Sequence, residues 1–193
     1  MYQDTNKRKS PPPIVFIIIF GLIGFGAYKF LPGLFASTSS DTPTSGTSPS
    51  GAIATRMSLG NQILLTSQTT AEKQAGVTAF AKGDYKEAVQ KFQASLQQNR
   101  NDPETVIYLN NARVSDRTSL KIAVSVPSGS NPNIAQEILR GVAQAQDEIN
   151  ARGGINGVGL QVEIVNDNNR PEVAKEVAAA LANDQKILAV IGH

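Results

Sequence analysis

Two hydrophobic periodicities alternate along the C-terminal part of this chain, and that alternation constrains the fold more than any other feature. From Leu120 to Val126 every second side chain is apolar, which is typical of a strand with one buried face. The same period returns from Leu160 to Ile164, and residues 187–191 form a continuous apolar run. Such a run predicts a strand that is buried on both faces.

Two segments with helical spacing separate these strands. The first begins at Asn131-Pro132, an N-cap followed by proline at the first helical position, and it ends at Gly153-Gly154. The second begins at Pro171. The residues predicted to face the core are Ile134, Ile138, Val142, Ala145 and Ile149 in the first helix, and Val173, Val177 and Leu181 in the second.

Strands that alternate with helices of this length form a parallel sheet with right-handed crossovers. The sequence therefore predicts an α/β fold with a partial, doubly wound parallel sheet in the order βαβαβ. In such sheets ligands bind at the carboxyl ends of the strands. A binding site is thus expected among residues 127–131, residues 166–170 and the residues after Ile191.

Neither the position of the glycines nor the content of Cys and His indicates nucleotide binding or catalysis. The glycines between 153 and 159 follow a helix and precede a strand, which is the wrong context for a phosphate cradle and the right one for a helix cap and turn. The chain has no cysteine and a single histidine, His193. We therefore predict no catalytic residue, no cofactor and no metal site, and the scattered Lys and Arg residues predict no nucleic-acid partner.

The N-terminal region is predicted to cross a membrane. Residues 14–28 carry no charge, and the apolar stretch continues past Lys29 through Leu31, which is long enough to span a bilayer. The basic run Lys7-Arg8-Lys9 precedes it, so the positive-inside rule keeps the N-terminus in the cytoplasm. We predict a cytoplasmic tail at 1–13 and an anchor at 14–35, inserted in the plasma membrane through residues 14–31. A cleaved signal peptide is the alternative, and in both cases the rest of the chain is exported.

A flexible linker is predicted next, over residues 36–68. Residues 37–51 are mainly Ser, Thr, Pro and Gly and have too few apolar side chains to offset the entropy of ordering. The later part of the linker is ambiguous. Ile63-Leu64-Leu65 could form a short strand or pack on the next element.

Residues 69–115 carry the start and stop signals of a helical unit. Thr69-x-x-Glu72 is a capping-box pattern, Gly83 ends the first helix, Asp84 caps the second, and Asp102-Pro103 begins the third. The arrangement resembles a tetratricopeptide repeat, in which the matching residues are Gly76, Gly83, Tyr85, Ala88, Phe92 and Pro103.

This TPR-like hairpin departs from the repeat pattern in two ways. Glu72 stands where the repeat has tryptophan, and Pro103 comes about three residues late for the ~34-residue period. The unit is either a helical spacer that packs on its neighbour or a groove that binds a peptide or protein partner.

The segment from Leu120 onward resembles the start of a known family. Its strongest motif is Ile149-Asn150-x-x-Gly153-Gly154-Ile155-Asn156-Gly157, and Asp167, four residues before Pro171, and the ending Ala189–His193 support it. These residues resemble type I periplasmic binding proteins, the leucine/isoleucine/valine-binding group. With the anchor, linker and TPR-like unit before it, the chain looks like a cyanobacterial variant of that family. The resemblance implies two lobes that close on a solute and deliver it to the permease of an ABC transporter.

The resemblance also implies site residues over 119–193. In the family, main-chain amides and hydroxyls after the first and third strands hold an amino-acid ligand, which corresponds here to Ser128, Gly129 and Ser130, and to Gly192 and His193. The alternative for residues 128–130 is an ordinary turn, and Asp167 is expected to cap its own turn.

The resulting functional prediction is an extracytoplasmic, amino-acid-binding component of an ABC transporter. The sequence stops at His193, where the family's serine-rich ligand loop begins, so we expect the chain alone to bind amino acids weakly or not at all. The alternative is a membrane-tethered, TPR-like protein-interaction module. An enzyme is not predicted.

Overall fold

The computed structural model describes residues 51–192, within which six helices and four strands are present. A 3₁₀ turn at Thr66–Gln68 precedes the second helix. In chain order the elements are α1 (Gly51–Ala54), β1 (Met57–Ser58), α2 (Ala71–Ala81), α3 (Tyr85–Gln98), α4 (Pro103–Val114), β2 (Ser119–Val126), α5 (Pro132–Ala151), β3 (Gly159–Asn166), α6 (Pro171–Asn183) and β4 (Ile187–Ile191).

The predicted tail, the predicted anchor at 14–35 and the first part of the predicted linker lie outside the described residues. Between residues 51 and 192, no helix combines the length and the apolar composition that crossing a bilayer requires. The described part of the linker differs from the prediction, because residues 51–68 are folded onto the rest of the chain. Ile53, Met57 and Leu65 are buried there, and Ile63-Leu64-Leu65 packs on the core without forming a strand.

The four strands form one sheet in the order β1-β3-β2-β4. Strand β2 lies between β3 and β4 and runs parallel to both, which confirms the predicted parallel unit. Leu120 pairs with Leu160, and Val124 pairs with Ile191. The sheet is nevertheless mixed, because β1 adds an antiparallel strand beside β3, with Met57 opposite Val165. Two residues are too few to produce a periodic signal in the sequence.

Helices cover both faces of this sheet, as in a doubly wound fold. Val124, Val126, Val162 and Ile164 point to one face and share a hydrophobic core with α5. On the other face, Ala123 and Val165 pack with Val173, Val177 and Leu181 of α6, which confirms the predicted inward side of that helix. The strict alternation of β2 and β3 therefore supplies two separate cores.

The stripe of helix α5 that faces the sheet agrees only in part with the prediction: Ile138 and Val142 are half-buried against the core, as predicted, but the fully buried residues are others. Its buried residues are Ala135, Leu139, Ala143 and Gln146, whereas Ile134 and Ala145 are exposed. The stripe is rotated by one residue, because small alanines allow close approach to the sheet and Gln146 reaches the main chain of β3. Its side-chain amide donates to the carbonyl of Leu160 at 3.0 Å.

The helical unit packs on the same core. Asp84 and Asp102 cap α3 and α4 as predicted, but the N-cap of α2 is Thr70 and not Thr69, since the Thr70 hydroxyl accepts the amide of Lys73. Phe92 of α3 packs against Tyr108 of α4 at a ring-centroid distance of 5.9 Å. Helix α4 is buried along most of its length between α3, α5 and the sheet.

The prediction for β4 is wrong in one respect. Residues 187–191 do form a strand, but it is an edge strand, and most of its side chains are exposed. Among the described residues no element pairs with its outer side. An apolar run shows that a strand is hydrophobic, but it does not show which neighbours cover it.

Candidate functional site

The carboxyl ends of β2, β3 and β4 meet at one edge of the sheet. Val126 is paired with Asn166, and Ile191 is paired with Val124, so the segments that follow all three strands lie side by side. Residues 127–131 occupy the middle, residues 166–170 lie on one side, and Gly192 lies on the other. This juxtaposition is the one that the βαβαβ order predicts for a ligand site.

The central loop leads directly into helix α5. The amide of Asn131 donates to the carbonyl of Pro127 at 2.8 Å, and the Asn131 side chain accepts the amide of Ile134 at 3.2 Å. Asn131 is thus the N-cap and Pro132 the first helical residue. The positive end of the dipole of this twenty-residue helix consequently lies at the candidate edge, where a carboxylate or another anion is favoured.

The structure separates the predicted site residues by accessibility. Gly129 and Ser130 are exposed, and so is Gly192 after the neighbouring strand. Ser128 is only 6% exposed. Its hydroxyl is buried and has no hydrogen-bond partner among residues 51–192. His193 lies outside the described residues. Of the predicted residues, Gly129, Ser130 and Gly192 are therefore the ones that face solvent along this edge.

The loop after β3 is fixed by its own side chains. Asp167 Oδ1 accepts the amide of Asn169 at 2.8 Å, and Oδ2 accepts the hydroxyl of Ser125 at 2.5 Å. Asn168 and Asn169 have positive φ angles of 56° and 51°, which asparagine tolerates better than most residues. Asp167 therefore caps the turn, as predicted, and holds it against β2.

Direct contact joins this loop to the central one. Asn166 Oδ1 accepts the amide of Asn168 at 2.9 Å and that of Gly129 at 3.4 Å. A Cβ atom on Gly129 would lie 2.1 Å from Asn168 Oδ1, so a larger residue there would force the Asn168 side chain to move. Sequence reasoning missed Ser125, Asn166 and Asn168 as determinants of the edge. The Asn-Asp-Asn-Asn run is the available signal, although by itself it predicts only a turn.

The clear pKa shifts within residues 51–192 belong to groups away from this edge. Burial raises the pKa of Tyr108, which lies in the helical unit. Lys121 and Asp184 form an ion pair at 2.6 Å near the amino ends of the strands. The groups that the carboxyl edge does offer are main-chain amides, hydroxyls and a helix N-terminus. These groups suit binding through hydrogen bonds.

Comparison with known proteins agrees with this description of the C-terminal part. Residues 119–193 match the model of a family described as periplasmic binding protein. A protein of Pseudomonas aeruginosa named "Amino acid binding protein" is 38% identical over 73 residues, which are 37% of this chain and 20% of that protein. The chain therefore spans about a fifth of the relative it matches. No solved structure matches the chain.

Proposed function

We propose that residues 119–193 form the opening part of a solute-binding lobe and that the solute contacts the carboxyl edge of β2, β3 and β4. One observation carries the proposal: the segment that matches the periplasmic binding protein family coincides with the βαβαβ unit whose three strand ends meet at that edge. In parallel sheets this edge is the usual place for a ligand.

The chemistry of the edge favours a ligand that carries a carboxylate. The N-terminus of α5 supplies positive partial charge, and the exposed Gly129 and Ser130 can offer main-chain amides and a hydroxyl. The name of the relative, amino acid binding protein, supports a free amino acid as the solute. We propose Gly129, Ser130, Gly192 and His193 as contacts to the carboxylate, and leucine, isoleucine and valine as the first solutes to test.

Ser128 has a different place in this proposal. Its hydroxyl is sealed in the described structure, so it can meet a solute only if the loop rearranges. Gly129 has no side chain and so leaves room for the Asn168 side chain that packs against it.

The surrounding transport system is part of the same proposal. An anchor in the plasma membrane through residues 14–31, with the N-terminus in the cytoplasm, would hold the lobe outside the cell beside the permease of an ABC transporter. Alkaline extraction of membranes, followed by protease treatment of intact cells, tests the arrangement. Retention in the membrane with cleavage from outside supports it, whereas release by alkali contradicts the anchor.

Titration of the isotopically labelled full chain with single amino acids tests the solute site. Because the described edge is open to solvent, we expect weak, millimolar affinity, with amide shifts confined to residues 127–131, 166–170 and 192. Gly129→Ala should weaken these shifts, because its Cβ would displace the Asn168 side chain. Gly141→Ala is the matched control, since a Cβ there meets nothing within 4 Å. Shifts centred outside these three segments would contradict the proposal.

A further inference from the structure

One face of helix α4 carries polar side chains that are buried, which is unusual for a helix in a core. Glu104, Tyr108 and Asn111 follow one another at positions i, i+4 and i+7, so they form a single stripe along the helix. Each is almost fully buried. Buried polar groups need partners, and all three find one in the same short segment, residues 59–65, here named the strap.

The stripe contacts the main chain of the strap. Glu104 Oε1 accepts the amide of Leu64 at 2.7 Å, and its two oxygens share the amide of Leu65 at 3.3 Å. The Tyr108 hydroxyl lies 2.8 Å from the carbonyl oxygen of Gln62. The Asn111 side chain donates to the carbonyl of Leu59 at 2.8 Å. These contacts recognise backbone amides and carbonyls, as a peptide-binding groove does.

Glu104 carries a buried negative charge, and the strap supplies hydrogen-bond donors to it. Lys73 of α2 lies 2.7 Å from Glu104 and 2.7 Å from Asp102, and all three side chains are buried. One cation faces two carboxylates, so Glu104 depends on further donors from the strap and from Tyr108. Burial, followed by the charge of Glu104, raises the pKa of Tyr108 well above its ordinary value, which keeps that hydroxyl a donor.

The backbone conformation of the strap brings its main chain to the polar stripe of α4. Gly60 has a φ of +134°, a conformation that residues with a side chain rarely adopt, and a Cβ there would meet the ring of Phe80 at 3.0 Å. The chain therefore turns tightly between β1 and the contact with Gln62. Leu65 then enters the core at 2% exposure and fixes the far end of the strap.

We infer that α4 is a peptide-binding surface whose occupant is the strap of this same chain. The helical unit acts as an intramolecular latch: it binds residues 59–65 and so places β1 on the edge of β3. The inference goes beyond solute binding and does not depend on it. It also means that this face of the TPR-like unit is filled by the chain itself and can receive another peptide only after the strap leaves.

Hydrogen exchange of the full chain, resolved by mass spectrometry, tests the latch from both sides. Tyr108→Phe removes the hydroxyl that lies beside Gln62 and Glu104 and keeps the ring that packs on Phe92. Gly60→Ala acts from the strap. We expect either change to speed exchange of residues 57–65 roughly tenfold, while α5 and α6 keep their protection. Tyr108→Phe acts through lost buried hydrogen bonding, and Gly60→Ala acts through backbone strain.

Gly141→Ala, in α5, is the matched control for the glycine substitution and should leave the strap as protected as in the parent chain. Exchange that rises equally in α5 and α6 would mean that the variants weaken the whole fold, and the inference would fail. It would fail equally if both variants left residues 57–65 unchanged. Neither result depends on whether the chain binds amino acids.

Discussion

The two edges of the sheet differ in how their main-chain and apolar groups are covered by the described residues. At the β3 edge, β1 pairs with residues 164–165, and side chains from the helices bond the main chain farther along. Asn150 of α5 donates to the carbonyl of Leu160 at 3.0 Å and accepts its amide at 2.8 Å. At the β4 edge, by contrast, Leu188, Val190 and Ile191 are 62%, 52% and 40% exposed.

This comparison shows which interactions keep an edge strand from pairing with another chain. The main-chain groups of an edge strand remain available for pairing unless something bonds them, and an uncovered apolar edge is a template for another strand. At β3 the chain meets this requirement with β1 and with the side chains of Asn111 and Asn150, which bond the main chain where no strand is paired. At β4 the described residues provide neither, so this edge is the one at which further polypeptide can add.

The largest effect is expected where one side chain makes several hydrogen bonds at the covered edge. Asn111 donates to the carbonyls of Leu59 and Val162 and accepts from the amide of Val162 and the side chain of Gln146. Asn111→Ala leaves several buried groups unpaired and should lower the free energy of unfolding by about 3 kcal/mol or more. The midpoint of equilibrium unfolding in urea measures the loss.

Asn133→Ala is the control for this prediction, since Asn133 is exposed in the first turn of α5. It should change stability by less than about 0.5 kcal/mol. If Asn111→Ala were equally mild, the main chain of β3 would not need its side-chain partner, and the contrast between the two edges would lose its basis.

A smaller effect is expected at the amino end of the open edge, where an ion pair secures the turn before β4. Partial burial alone would lower the pKa of Lys121, but the hydrogen bond to Asp184 and the charge of Glu163 raise it above 10.5. The hydrogen bond from Lys121 lowers the pKa of Asp184 below 3.8. Lys121→Met should therefore cost about 1 kcal/mol near neutral pH, as partly exposed pairs do.

The pH dependence gives this prediction its sign. The contribution of Lys121 is complete below its unfolded pKa and is lost as the pH rises through the higher folded value. That of Asp184 is complete above its unfolded pKa and is lost as the pH falls through the lower folded value. The stability difference between parent and variant should thus be constant near neutrality and shrink at both extremes. Lys175→Met, at an exposed position of α6, should show no such profile.

Much of this fold could be predicted from local patterns. Alternation identifies β2 and β3, and the cap residues Asp84, Asp102 and Asn131 identify three helix starts, because both signals depend on neighbouring residues. The strap contacts could not be predicted in this way. Asn111 contacts the main chain of Leu59, which lies 52 residues away in the sequence, and no periodicity encodes that distance.

The glycine motif shows a middle case. The stretch from Ile149 to Gly157 indicates a family, but its physical role becomes clear only with the structure. Gly153, Gly154 and Gly157 have positive φ angles, and a Cβ on Gly154 would lie 2.2 Å from the carbonyl of Val158. Asn150, in the same motif, accepts the main-chain amide of Leu160 at the β3 edge.

The candidate site was predictable to a similar extent. The order of strands and helices locates the edge, because parallel strands bring their carboxyl ends together. It could not show that Ser128 is sealed while Ser130 is exposed, since side-chain direction in a loop depends on tertiary packing. The contact of Asn168 with Gly129 has the same cause.

The smallest effect on stability is expected from a charge placed on the open edge. Val190→Lys puts an ammonium group at a half-exposed position of β4 and should change the free energy of unfolding by less than about 0.5 kcal/mol. It should nevertheless reduce self-association in sedimentation velocity over a concentration series, because lysine on an edge strand opposes pairing with another chain. Ile155→Lys adds the same charge at a comparably exposed position in the turn before β3 and should leave self-association unchanged. Equal behaviour of the two variants would show that net charge, and not the β4 edge, governs association.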